Sequence, residues 1–223
     1  MIGYVERGGN LLLLGEKCAR LFEPALGVSL AAPPQNITAE LATSSGPVSV
    51  NGIWQDITLS SARPVGYRHL TRDVRKYSEI AATLTDCGKG KIGAVYGPLA
   101  GIFFKSHHPY LRKFIGDIVK ELFPEPAVLV DGPALVDVAL RTTKSGRLSL
   151  HLLNRSNLPL PDRNNFTDFI PAVGPLTVKI KTAKKPQKVT LAPKVRSLQW
   201  DWKNGMLSAV IPQVHIHSIM VVE

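Results

Sequence analysis

Long apolar runs are missing from this 223-residue chain. No stretch approaches the ~20 consecutive apolar residues that a helix needs to cross a bilayer, so no membrane partner is expected. Cysteine is scarce: Cys18 and Cys87 make no disulfide framework and leave the redox compartment open. The opening MIGYVERGGN lacks the pattern of a signal or transit peptide, and the sequence does not name a compartment. The catalytic and phosphate-binding signatures are short too. There is no G-x-S-x-G turn for a serine hydrolase and no Walker A sequence. Acidic residues are the minority charge, 17 against 27 Lys and Arg. The excess is uneven, with 14 basic against 11 acidic residues in 1–126 and 13 against 6 in 127–223. The basic residues are scattered apart from Lys179, Lys181, Lys184, Lys185 and Lys188. Scatter of this kind reads as a solvated face, and no nucleic-acid partner is expected.

What is present is an ordinary globular composition, 44% apolar and 20% charged, enough to bury a substantial core without staples. The segment YVERGGNLLLLGEKCAR reads as a helix end, a glycine stop, a strand and a turn. Gly8-Gly9 suits a helix terminus, and the continuous run Leu11–Leu14 suits a parallel strand buried on both faces. A strand of that kind needs neighbours, so residues 1–126 are expected to be the rear of an α/β domain whose first strands lie in a longer parent polypeptide. Turn signals in 28–67 imply a β-rich excursion around Val48–Val50 and Trp54–Leu59. Residues 78–97 predict a hairpin. The i, i+3, i+4, i+7 spacing of Leu111, Phe114, Ile115, Ile118, Val119 and Leu122 predicts a helix over 109–123, with Pro109 in its first turn. A boundary is expected near Pro124–Pro126. Beyond it, eight short β-prone pieces predict an antiparallel sandwich over 127–223, with Leu148, Leu150 and Leu152 on one face and Ser149 and His151 on the other.

Each candidate for chemistry has a plainer alternative. Cys18 follows a strand-to-turn signal, as a nucleophile elbow would, where backbone amides lower a thiol pKa. But the turn Gly15-Glu16-Lys17-Cys18-Ala19-Arg20 places the cysteine one residue late, lacks the second glycine, sets Glu16 beside any thiolate and has no downstream H-x-E dyad. Cys18 is therefore expected to be structural, with a cysteine-dependent amidohydrolase as the alternative. GKGKIG, Gly88–Gly93, matches G-x-G-x-x-G, but a β-prone segment follows it where a dinucleotide site needs a helix. His215 and His217 share one strand face, and His107-His108 precede a helix; neither pair has further ligands at metal spacing, so no metal or cofactor is expected. Trp200 and Trp202 also share a face: exposed, they would stack on sugars; buried, they would fill the sandwich core. Arg68, Arg72 and Arg75 in RHLTRDVRKY are candidates to contact an anion or a partner surface. Sequons stand at Asn36, Asn154 and Asn165.

YVERGGNLLLLG and GKGKIGAVYGPLAGIFFKSHHPYLRKFIGDIVKELFPEPAVLVDGP resemble the amidotransferase-like trimerisation domain of family 42 β-galactosidases and related α-fucosidase-like glycosidases. LVDVALR, GRLSLHLLNRSN and LQWDWKNGMLSAVIPQVHIHSIMVVE resemble the small sandwich that often closes those polypeptides. The resemblance implies a partial flavodoxin- or class I amidotransferase-like α/β layer with a β-rich insertion, followed by an all-β antiparallel sandwich. It further implies a non-catalytic, C-terminal portion of a carbohydrate-active enzyme, packed against an upstream catalytic barrel and serving homo-oligomerisation. Such a domain would wall part of a substrate cleft. In such enzymes the catalytic carboxylates lie on the barrel, so no catalytic residue carries over, and the elbow nucleophile is lost, in keeping with the imperfect Cys18 turn. A carbohydrate-binding module is the alternative role.

Overall fold

A computed structural model describes residues 1–71, 78–156 and 169–223. The chain divides into two compact, strand-rich units, Met1–Glu125 and Pro126–Glu223.

The first unit begins with α1 (Ile2–Glu6), β1 (Asn10–Leu14) and α2 (Glu16–Leu21). A 3₁₀ turn, Glu23–Ala25, leads to β2 (Val28–Leu30), β3 (Gln35–Thr43), β4 (Gly46–Trp54), β5 (Ile57–Leu59) and β6 (Arg63–His69). The hairpin strands β7 (Glu79–Cys87) and β8 (Gly90–Val95) precede α3 (Leu99–Ser106) and α4 (Pro109–Leu122). Six strands form one sheet in the order β1-β8-β7-β6-β3-β4, while β2 and β5 pair separately. Only β1 and β8 run parallel in that sheet; β8-β7, β7-β6, β6-β3 and β3-β4 are antiparallel.

This differs from the parallel layer expected of Leu11–Leu14. The strand does meet apolar side chains on both faces, as its unbroken leucine run implies. Leu12 and Leu14 pack into the cluster built by α4 and the sheet, and Leu11 and Leu13 into a second cluster with Val5, Ala19 and Leu26. Yet β1 is the outermost strand, bonded to β8 alone among the described residues. The pairs β3-β4 and β7-β8 are antiparallel hairpins, joined by short turns without a helical crossover.

Helix α4 buries Leu111, Phe114, Ile118 and Leu122, while Val119 is exposed on the flank. His108 caps it by accepting a hydrogen bond at Nδ1 from the Tyr110 amide, 3.2 Å. Two glycines clear room beneath it: a Cβ on Gly66 would lie 2.3 Å from Phe114, and one on Gly93 would lie 3.1 Å from Ile118. Asn10 Nδ2 donates to the Leu122 carbonyl, 2.5 Å, closing the far end of the helix.

Tyr96 follows β8 and is fully buried, its hydroxyl 2.6 Å from that of Thr83. Burial pushes the phenol up to about 12, with the Thr83 hydrogen bond offsetting part of the rise. The unfolded phenol ionises near ~10, so between that pH and about 12 the native state holds the proton the unfolded chain has lost. Stability therefore falls as pH rises through this window, by about 2–3 kcal/mol in all. Denaturant melts at stepped alkaline pH should show this limb, and Tyr96→Phe should flatten it. An unchanged slope in the variant would exclude Tyr96 as its source.

The second unit contains β9 (Val128–Asp131), β10 (Val136–Thr142), β11 (Leu148–Asn154), β12 (Leu176–Lys181) and β13 (Val189–Ala192). It continues with β14 (Arg196–Ser197), β15 (Trp200–Lys203), β16 (Met206–Ile211) and β17 (His217–Val222). Two antiparallel sheets, β10-β11-β17-β13-β14 and β15-β16-β12-β9, enclose one core. Period-2 alternation builds it: Leu150 and Leu152 from β11 and Met220 and Val222 from β17 meet Leu176, Val178 and Ile180 from β12 and Leu207, Ala209 and Ile211 from β16.

Candidate functional site

The first candidate lies where β1 and β8 end. Gly15 takes φ +103°, a conformation glycine adopts without penalty, and its amide donates to the Val95 carbonyl, 2.9 Å. Helix α2 starts at once, so Cys18 is carried past the turn and stands exposed on the helix. Among the described residues it makes no hydrogen bond, and no group of three or more His, Cys, Asp and Glu side chains converges to hold a metal. A cleft of about 540 Å³ runs beside α2, lined by Glu16, Lys17, Arg20, Leu21, Pro34, Asn36 and Ile53; Cys18 is not in its wall. The arrangement offers an exposed thiol on a helix, outside the cleft wall.

The glycines of GKGKIG serve packing. Gly88 and Lys89 form the two-residue turn between β7 and β8. The Lys89 amide donates to the Glu6 carbonyl, 3.0 Å, docking the turn on the end of α1. A Cβ on Gly88 would lie 2.6 Å from Glu6 Cα, and one on Gly90 would lie 1.9 Å from the Gly9 carbonyl oxygen. With Gly93 under α4, each glycine is accounted for by close backbone or helix approach, without a phosphate.

Arg68 is not on an exposed face. It lies in β6, 1% exposed, with Nη2 donating to Asp56 Oδ1 and the guanidinium 5.0 Å from the centre of the Trp54 ring. Alternation along β6 turns it inward, where Asp56 neutralises it. Arg72 and Arg75 lie outside the described residues, as does Asn165. Beside this pair the fully buried Gln55 donates to the Ala32 and Asp56 carbonyls and accepts from Arg20.

Trp200 and Trp202 stand on β15, an outer strand of the four-stranded sheet. Both are half-buried and packed against the core, and Trp202 Nε1 donates to Thr182 Oγ1, 2.9 Å. They close the edge of the sandwich rather than forming an open platform. His217 does not pair with His215, which sits in the bend before β17. Its Nε2 lies 3.2 Å from Nδ1 of His151 on the adjacent strand β11, with the rings 18° apart, so one ring N–H donates to the other ring. His107 ends α3 in the left-handed region at φ 50°, and His108 caps α4. Asn154 donates its side-chain amide to the Pro171 and His215 carbonyls, 2.8 and 2.5 Å.

A second cleft, about 410 Å³, opens at one end of this sandwich. The β13–β14 turn and the loop from β16 to β17 form its sides, with Lys194, Arg196, His215 and His217 around it. Sequence reasoning did not single out Lys194 and Arg196. The signal was local and weak: a proline turn, AP-K-V-R-S, whose two cations face the histidine-bearing segment only after β13 and β17 pair.

No family profile matches the chain, and no curated protein matches its sequence. Solved structures do. An α-L-fucosidase, isoenzyme 2 from Paenibacillus thiaminolyticus, is similar over 99% of this chain and 37% of its own, with a TM-score of 0.77 and 16% identity. The family 42 β-galactosidase Gan42B from G. stearothermophilus, as a catalytic mutant, is similar over 100% of this chain and 29% of its own, with a TM-score of 0.57 and 14% identity. A β-galactosidase from Bacillus circulans sp. alkalophilus is similar over 100% and 30%, with a TM-score of 0.56 and 16% identity. This chain thus spans about a third of the length of these glycosidases, and its β-rich fold resembles a segment of each of them.

Proposed function

We propose that the chain is a non-catalytic C-terminal portion of a carbohydrate-active enzyme, packing against a catalytic (β/α)₈ barrel upstream in the same polypeptide, holding a homo-oligomer together and walling part of the substrate cleft. One observation carries the reading: nearly the whole chain matches in fold, while only 37% of the α-L-fucosidase is accounted for. In this reading the first unit is the rear of an amidotransferase-like layer, and the open edge of β1 receives a further strand. Large apolar side chains left in solvent support a docking role: Leu21 is 80% exposed, Phe104 64% and Phe123 58%. Burying such surface is worth about 25 cal/mol per Å² before the costs of association.

The reading predicts that the isolated chain hydrolyses neither aryl β-galactosides nor aryl α-L-fucosides and self-associates at high micromolar concentration by light scattering. A strictly monomeric, cooperatively folding chain would count against it. Cys18→Ala should leave the melting temperature within about 1 °C, as expected of an exposed side chain without partners. Amide hydrolysis by the chain, abolished in that variant, would establish the cysteine-enzyme alternative instead.

A further inference from the structure

We propose that the cleft at the end of the second unit binds the carboxylate or sulfate group of an acidic saccharide. The saccharide part rests on the glycosidase reading above; the anion part rests on the cleft alone.

Four of the side chains lining the cleft are basic or imidazole, Lys194, Arg196, His215 and His217, and none of the described lining residues is acidic. The two fixed cations are exposed and make no ion pair among the described residues, whereas Arg147 is paired with Glu223 and Arg155 with Asp137. Uncompensated positive charge in a concave site concentrates anions. Arg196 also presents the planar fork that takes a carboxylate or sulfate through two N–H donors.

The walls are apolar: Leu191, Ala192, Pro193, Leu198 and Pro212. A bare inorganic anion gains nothing from them, but the C–H face of a sugar ring does. The volume, about 410 Å³, falls within the ~300–1,000 Å³ of small-ligand sites.

Ser218 breaks the pattern of its strand. On β17 the inward positions are Ser218, Met220 and Val222, and only the first is polar. Ser218 is 7% exposed and lines the cleft, and its hydroxyl makes no hydrogen bond among the described residues. A hydroxyl at an inward position costs stability unless it meets a partner. A sugar hydroxyl entering the cleft supplies one. The rim is held in place by the bond from Asn154 Nδ2 to the His215 carbonyl, so the site is built before a ligand arrives.

The test is calorimetric titration of the full chain at low ionic strength with digalacturonic acid, a sulfated galactose disaccharide, neutral galactobiose and sodium sulfate. Both acidic sugars should bind, at least about tenfold more tightly than the neutral sugar or sulfate, with affinity falling as salt rises. Lys194→Ala with Arg196→Ala should weaken binding at least about tenfold without changing the melting temperature, because both side chains are exposed. Ser218→Ala should weaken the saccharides and leave sulfate unchanged. Lys184→Ala with Lys185→Ala removes the same charge elsewhere in the unit and should have no effect. Absence of binding, equal binding of galactobiose, sulfate as tight as the sugars, or equal loss in the two double variants would each overturn the proposal. None of these outcomes touches the oligomer and hydrolysis assays that test the glycosidase reading.

Discussion

Gly90→Ala should cost the first unit about 3 kcal/mol and lower its melting temperature by roughly 10 °C. Glycine is needed at this position for space, since its φ lies outside the left-handed region. The added Cβ would sit 1.9 Å from the Gly9 carbonyl oxygen and 2.5 Å from that of Val5, and both are backbone atoms that cannot rotate away. Either β8 lifts off β1, breaking their parallel pairing, or the end of α1 is pushed out and Val5 leaves its buried site. A matched control has the opposite sign. Gly116 lies inside α4 with nothing within 4 Å of its would-be Cβ. Gly116→Ala should therefore stabilise the unit by about 0.5–1 kcal/mol through helix propensity. Thermal melts followed by circular dichroism decide it. A Gly90→Ala chain that melts within a degree of the parent would mean the hairpin turn is not seated on α1 as described.

The second large effect concerns Asp56 and Arg68. Asp56→Ala leaves a guanidinium that is 1% exposed without its counter-ion, and should cost about 2–4 kcal/mol. The lower end applies because Asp56 is itself 34% exposed, so part of the pairing is screened. Arg68→Met should cost far less. It removes a charge whose Nε and Nη1 already lack hydrogen-bond partners, keeps the apolar stem packed near Trp54, and leaves Asp56 able to hydrate. The double variant should resemble Arg68→Met. Urea unfolding of the four proteins gives the coupling directly. If Arg68→Met proves costlier than Asp56→Ala, the contact of Arg68 with Trp54 outweighs the desolvation of its charge.

These predictions show what was legible from sequence and what was not. The β7–β8 hairpin and α4 were readable because their signals are local: a glycine turn between alternating strands, and an apolar stripe ended by FPEP. The longer strands of the second unit were readable for the same reason, short alternating runs between turn residues, but the two-residue β14 was not. Helix α3 and the nine-residue strand β3 were less so. Gln35–Thr43 mixes polar and apolar residues, and becomes a strand through its pairing with β4 and β6. Trp54–Leu59 read as one β piece, but Trp54 ends β4 and Ile57 begins β5 in a different sheet.

The candidate sites were less legible still, because a site is a set of residues distant in sequence. By sequence Arg68 reads as a free cation, and the structure sets Asp56 and Trp54 around it. His217 looked like the partner of His215, and the structure pairs it with His151, 66 residues away. Residue type and periodicity alone determined that β7 and β8 form a hairpin, that α4 carries an apolar face, and that the turn before Cys18 lacks a second glycine, because those properties depend on neighbours within a few residues. Only the tertiary structure decided which glycines touch backbone, which cations are paired and which stand free around a cleft. Those depend on strand register, and register brings together side chains whose separation along the chain carries no information about their distance in space.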